Sequence, residues 1–397
     1  MAHKVTTMGF IAWANNHSDT DSTMVSILRS AGAVFYCRNN MPQTGMLLET
    51  WNNLFGRTLN PRNTNFSAGG SSGGDAALLA LRGAPICPSS DIGGSIRAPA
   101  AFNGLYGIRP TADRVPKTGM TTSAPGNVSI KVSCGPNCHS MADIKLLTEL
   151  ILTHASIPFE PTCINVPWRT ISKPTHKLSF GILMTDNVVD PHPPIKRALL
   201  ETAAKLTAQG HEVFEFNPPF DFWEAALITW KLYFQTGAAE TKKLVSDAGE
   251  PLSPVFQHYL KTYNIKPLTV PELFATNTKQ AGYKLQFAQA WTNTQSATST
   301  GRPMDGLICP AGPCAGFPHD FPIWWGYFSI FNLLDYPSII MPIKDMKIDP
   351  IKDAKDQDYR PRDNPFDAEN WKICEFLLSL VLLWPHAMVR QRSRQRG

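Results

Sequence analysis

Apolar and polar positions along the chain change period repeatedly. Met24, Val25 and Leu28 recur on one helical face between Asp21 and Arg29, Gly32 ends that run, and Ala33 to Tyr36 then reads as a short strand. Pro194 to Ala208 is again helical, Gly210 stops it, and Glu212 to Phe216 alternates as a strand. Lys177 to Met184 and Asp305 to Cys309 read as further short strands, and Met141 to Leu152 and Leu273 to Trp291 as helices. Interleaved helices and strands predict the α/β class. The proline-rich stretch Phe159 to Pro174 is too apolar for a free linker, so it divides subregions of one domain.

Composition fits a folded, loop-rich protein: of 397 residues, 43% are hydrophobic and 17% charged, with 27 glycines and 33 prolines. The formal charge of +5 owes most of its excess to Arg390, Arg392, Arg394 and Arg396. The body is near neutral, which argues against a nucleic-acid surface. No stretch reaches the length of a membrane span: Phe376 to Trp384 is broken by Ser379 and stopped by Pro385. Met8 to Ala14 makes a poor secretory core, so a cytoplasmic location is expected. Eight scattered cysteines then read as reduced thiols. Cys134-x3-Cys138-His139 is only half a zinc pattern, and Cys309-x4-Cys314 sits among loop residues, so no metal is expected.

One stretch carries candidate chemistry. Gly69-Gly-Ser71-Ser72-Gly-Gly74 leads into a small-residue helix ending near Leu81, a strand-like Ala84 to Pro88, and then Ser90-Asp91-Ile92-Gly93-Gly94-Ser95-Ile96-Arg97. A serine hydroxyl becomes a useful nucleophile when a proton acceptor is in reach and donors await the oxyanion formed on attack. Consecutive glycines let main-chain N–H groups converge on that point, so Ile92, Gly93, Gly94 and Ser95 are candidate oxyanion donors beside Ser95 itself. Rival patterns fail: no lysine follows either glycine cluster as a phosphate cradle requires, Gly-x-Ser-x-Gly misses by one position, and Ser-x-x-Lys is absent. A flexible Gly/Ser loop without chemistry remains the alternative.

Gly69 to Gly74, Asp91 to Pro99 and Gly104 to Pro110 together resemble the amidase signature family. Asn40 to Gln43, Asn53 to Pro61, Pro318 to Asp320 and Asn332 to Pro337 resemble its fungal acetamidase-like branch, so the likeness runs over about residues 5 to 365. It implies a single α/β/α domain on a central mixed sheet, spanning residues 1–371, followed by a divergent tail at 372–397. It also implies a Ser–Ser–Lys mechanism, with Ser95 as nucleophile, Ser71 as a bridging serine on a cis peptide bond, and the Ile92 to Ser95 amides as the oxyanion hole. Asp91 and Arg97 match positions that brace this loop; Ser90 stands where the family usually has threonine.

The implied reaction is hydrolysis of a small linear amide to acid and ammonia, with no cofactor; the sequence leaves a homodimer open. The family lysine counts back to a position before Met1, and Lys4 is too close to Thr6-Thr7 to replace it. The strand expected after Tyr359 to Trp371 is not found either, which predicts an uncovered sheet edge and poor solubility. A catalytically inactive or truncated amidase-fold protein is therefore the competing reading, and a subunit like that of the glutamyl-tRNA amidotransferase is a third. Trp324, Trp325, Tyr327, Phe328 and Phe317 are candidates either for an acyl pocket or for plain core.

Overall fold

A computed structural model describes residues 1–154, 160–164, 166–343 and 346–382. Phe159, the end of the apolar run at Trp384 and the arginines at 390, 392, 394 and 396 lie outside the described residues. The front of the chain holds α1 (Thr23–Ser30), a small hairpin of β1 (Trp51–Asn52) and β2 (Gly56–Arg57), α2 (Gly73–Ala80), β3 (Ile86–Asp91), α3 (Arg97–Asn103), β4 (Tyr106–Arg109), β5 (Ser133–Cys138) and α4 (Met141–His154). Next come β6 (Ser179–Ile182), α5 (Pro193–Ala208), β7 (Glu212–Glu215), α6 (Phe222–Tyr233), α7 (Ala239–Asp247), α8 (Pro254–Thr262) and α9 (Val270–Asn293). The chain then forms β8 (Gly306–Ile308), α10 (Gly326–Leu334), β9 (Ser338–Ile340) and α11 (Asp367–Leu382).

Parallel and antiparallel pairs both occur among the described residues, each sense in its own sheet. An antiparallel ladder runs β3-β5-β4-β9 and a parallel one runs β7-β6-β8, with α5 as the crossover between β6 and β7. Burial alternates strictly along β3, whereas every residue of β5 is buried, with strands on both of its edges and α2 and α4 packed against it. Prolines at the start of α5 and α8, the Asp221 side chain on the Trp223 and Glu224 amides of α6, and a Thr269–Glu272 capping box on α9 set the helix starts.

The strand expected at Ala33 to Tyr36 does not form. Its alternation is real, since Phe35 packs inward beside Met24 and Leu28 while Val34 and Tyr36 are 84% and 62% exposed. Among the described residues no strand pairs with it, and the Tyr36 hydroxyl bonds to the Gly83 carbonyl instead.

The largest core is aromatic. Trp230 of α6 stacks on Tyr263 at 4.7 Å and Tyr259 at 5.0 Å and meets Trp325 edge-on at 5.0 Å. Phe317, Trp324, Trp325, Tyr327 and Phe328 are all at most 2% exposed and belong to this cluster.

α11 runs through residue 371, with Trp371 and Cys374 both buried, and His192 anchors it. The His192 Nε2–H donates to the Asn370 carbonyl at 2.7 Å, and the imidazole meets the Trp371 ring edge-on at 6.1 Å. Burial lowers the His192 pKa to about 4, so the ring is neutral when folded. Protonation favours the unfolded chain: this contribution is complete above the unfolded value near 6.5 and is lost as pH falls toward 4, a swing of about 3 kcal/mol. We expect His192→Gln, whose amide can donate to the same carbonyl without titrating, to show a shallower fall in melting temperature than wild type between pH 6.5 and 4. Parallel curves for the two proteins would refute this.

Candidate active site

Both serine-bearing turns sit where a strand or loop hands over to a helix. Ser71 and Ser72 immediately precede α2, and Ser95 lies between the end of β3 and the start of α3. The two turns are joined directly, the Ser72 N–H donating to the Ser95 carbonyl at 3.2 Å. Ser71 and Ser95 are 5% and 3% exposed, and both line one cavity of about 640 Å³. Among the described residues neither hydroxyl has a protein hydrogen-bond partner.

The first turn is held from below. The Thr50 hydroxyl donates to the Gly69 carbonyl at 2.9 Å and accepts from the Gly73 N–H at 3.1 Å, bridging both sides of Ser71. The Gly70–Ser71 peptide bond is cis. A side chain at Gly70 would strike the Leu47 carbonyl at 2.4 Å, so only glycine lets this turn lie against the 47–49 segment.

The second turn is braced by a buried ion pair. Arg97 contacts both Asp91 oxygens at 3.0 Å, donates to the Phe328 carbonyl at 2.8 Å and to Asn332 Oδ1 at 2.7 Å; Asn332 in turn donates to Asp91 at 3.1 Å. Asp91 also accepts from the amides of Gly94 at 2.9 Å and Ile96 at 3.1 Å. Burial alone would raise the Asp91 carboxyl, but the Arg97 charge and these hydrogen bonds outweigh it and hold it at about 2. Gly94 has φ +124°, and a Cβ there would meet Phe328 Cβ at 2.7 Å, so this position also requires glycine.

Of the four expected oxyanion donors, the Gly94 N–H is therefore committed to Asp91. Among the described residues the amides of Ile92, Gly93 and Ser95 have no protein acceptor. The Tyr233 hydroxyl, which sequence reasoning passed over, donates to the Ile92 carbonyl at 2.6 Å.

The aromatic residues proposed for an acyl pocket do not reach the cavity. They are plain core, and the apolar wall is built by Met8, Met41, Met46, Met120, Ile130 and Phe234 instead. Ser90 also lines it. Lys117 and Lys131 border the cavity, but both are ion-paired to Asp113, the first at 2.9 Å, so neither offers a free amine. Lys4 is exposed and lines no part of the cavity.

Residues 1–358 match the family described as Amidase. The chain belongs to the amidase family. An amidase of Gibberella zeae is 49% identical over 374 residues, which cover 94% of this chain and 68% of that protein. An acetamidase of Emericella nidulans is 38% identical, with 85% of this chain and 62% of that protein covered. Among solved structures, a fatty acid amide hydrolase superposes with a TM-score of 0.85 at 30% identity, covering 94% of this chain and 64% of that one. The chain thus spans roughly two thirds of the length of these amidase relatives.

Its motif segments meet in space. Arg109 pairs with Asp335 at 2.6 Å, and His319 and Asp320 close on Glu49 and Arg57 at 2.8 Å and 2.7 Å. Among the described residues no cluster of three or more His, Cys, Asp or Glu side chains suits a metal ion, and no helix is long and apolar enough to cross a membrane.

Proposed function

We propose that this protein hydrolyses a small linear carboxylic acid amide to the acid and ammonia, with Ser95 as nucleophile and Ser71 as proton relay. The observation that carries this reading is the shared cavity, where both serines lie with Ile92, and where the Ile92 and Ser95 amides have no protein acceptor among the described residues. The acetamidase relatives support a short acyl chain, and a cytoplasmic location goes with the reading on the sequence grounds given above.

Ser95 Oγ bonds to the carbonyl carbon, and the C=O π pair moves onto oxygen, where the N–H groups of Ile92, Gly93 and Ser95 receive it. The Ser95 proton passes to Ser71 as Ser71 gives its own to a base. By resemblance that base is a lysine; the two lysines that line the cavity, Lys117 and Lys131, are both paired with Asp113. The base returns the proton to the leaving nitrogen, ammonia departs, and water attacks the acyl-serine by the same relay to release the acid.

The test uses the purified 397-residue chain with acetamide and its longer homologues. Ammonia and acid should appear in equal amounts, and a fluorophosphonate should label Ser95 in a peptide map. Added propylamine should raise the rate, with the gain growing as pH rises and more of the amine is neutral. A Ser95 that stays unlabelled, with no ammonia above a Ser95→Ala control in the presence of amine, would overturn the proposal.

A further inference from the structure

We infer that Tyr233 is a positioning residue for the oxyanion donor: its hydroxyl fixes the Ile92–Gly93 peptide plane and so aims the Gly93 N–H at the reacting carbonyl. This rests on the assignment of Ser95 as nucleophile.

Tyr233 is the last residue of α6, 4% exposed, and lines the cavity. Its ring is held by Trp230 at 6.1 Å and Phe234 at 6.4 Å, both edge-on. From there the hydroxyl donates to the Ile92 carbonyl at 2.6 Å. A trans peptide is planar, so its N–H points opposite to its C=O. Holding the Ile92 carbonyl toward the phenol therefore directs the Gly93 N–H away from it.

The neighbouring plane is locked as well, because the Gly94 N–H is bound by Asp91 at 2.9 Å. Gly93 is thus gripped on both sides and cannot rotate its amide toward another partner. It is buried, yet among the described residues its N–H has no acceptor. A buried donor left open in this way is what a developing oxyanion requires.

The contact depends on glycine, since a Cβ at Gly93 would sit 2.9 Å from the Tyr233 oxygen. Burial, and then the charge of Asp91, pushes the phenol far above its usual range, so it remains a donor throughout the working pH range. A hydrogen bond accepted by the carbonyl also polarises the amide and strengthens its N–H as a donor.

The variant Tyr233→Phe keeps the ring and removes only this hydroxyl. In the amine-supplemented assay kcat should fall about 10- to 100-fold with KM changed less than about twofold, somewhat less than loss of a whole oxyanion donor. Affinity for a trifluoromethyl ketone, whose Ser95 hemiketal carries an oxyanion, should weaken by the same factor, while affinity for the product acid and the melting temperature stay near wild type. Unchanged kcat and ketone affinity would overturn the inference. So would a parallel loss of kcat, KM and melting temperature, which marks a purely structural role. A folded wild-type chain that does not bind the ketone at Ser95 would instead overturn the hydrolase reading itself.

Discussion

Replacing Ser95 with alanine is expected to lower amide hydrolysis by about 10⁴-fold or more, because no covalent intermediate can then form. The oxyanion amides survive in this variant, since the Asp91 and Tyr233 contacts that set them are made by the main chain of residues 92–96. Residual turnover should be confined to what those donors and substrate binding supply. Ser71→Ala should cost less, about 10² to 10⁴, since water can enter the vacated space and pass the proton inefficiently. Ser95 accepts the Ser72 N–H through its main-chain carbonyl, and its side chain bears no protein hydrogen bond among the described residues, so the melting temperature should be nearly unchanged. Ammonia release at saturating amide, measured beside thermal melts, checks both variants. A Ser95→Ala protein within tenfold of wild type would show that the nucleophile lies elsewhere.

Arg97→Met is expected to destabilise the fold by about 3 to 5 kcal/mol at neutral pH, since it strands a buried carboxylate. Arg97 is 2% exposed and Asp91 0%, so water cannot replace the guanidinium without opening the turn. The pH dependence should reverse sign. In the wild type the Asp91 carboxyl sits at about 2, below its unfolded value, so its contribution is complete above pH 3.8 and is lost as pH falls toward 2. Without Arg97, burial is opposed only by the Arg109 charge and the donors of Asn332, Gly94 and Ile96, and it lifts the carboxyl above its unfolded value. The variant then gains proton-linked stability below pH 3.8 and loses it as pH rises. Denaturant melts at pH 4 and 7 should show a smaller deficit at pH 4; a deficit equal at both would show that Asp91 is not the group left stranded.

Several elements exposed on one side were legible in the sequence, although the helices α7 and α8 were not anticipated. α1, α4, α5 and α9 follow from apolar spacing, and β6, β7 and β8 from short runs closed by turns. α6 and α10 escaped for the opposite reason: Phe222, Ala225, Ala226, Ile228, Trp230, Leu232 and Tyr233 are all buried, so only Glu224 and Lys231 are left as a narrow polar stripe to mark a period on α6. Ala33 to Tyr36 misled because alternation reports which side faces inward and does not report whether a neighbouring strand exists. The serine turns announced themselves through glycine. Thr50 and Tyr233 did not, since each is an ordinary residue whose role comes from a partner far along the chain, 141 positions in the case of Tyr233 and Ile92. The Phe328 carbonyl that anchors Arg97 carries no side-chain signal at all.

That Arg97 anchor has a consequence for biosynthesis. When a ribosome has delivered both glycine turns and both serines, the groups that grip the guanidinium, the carbonyl of Phe328 and the amide of Asn332, are still untranslated, 231 and 235 positions downstream. The emerging polypeptide therefore carries its two serine turns without the downstream half of the Arg97 anchor for most of its synthesis. The brace of the second turn is completed only once α10 has left the exit tunnel and docked.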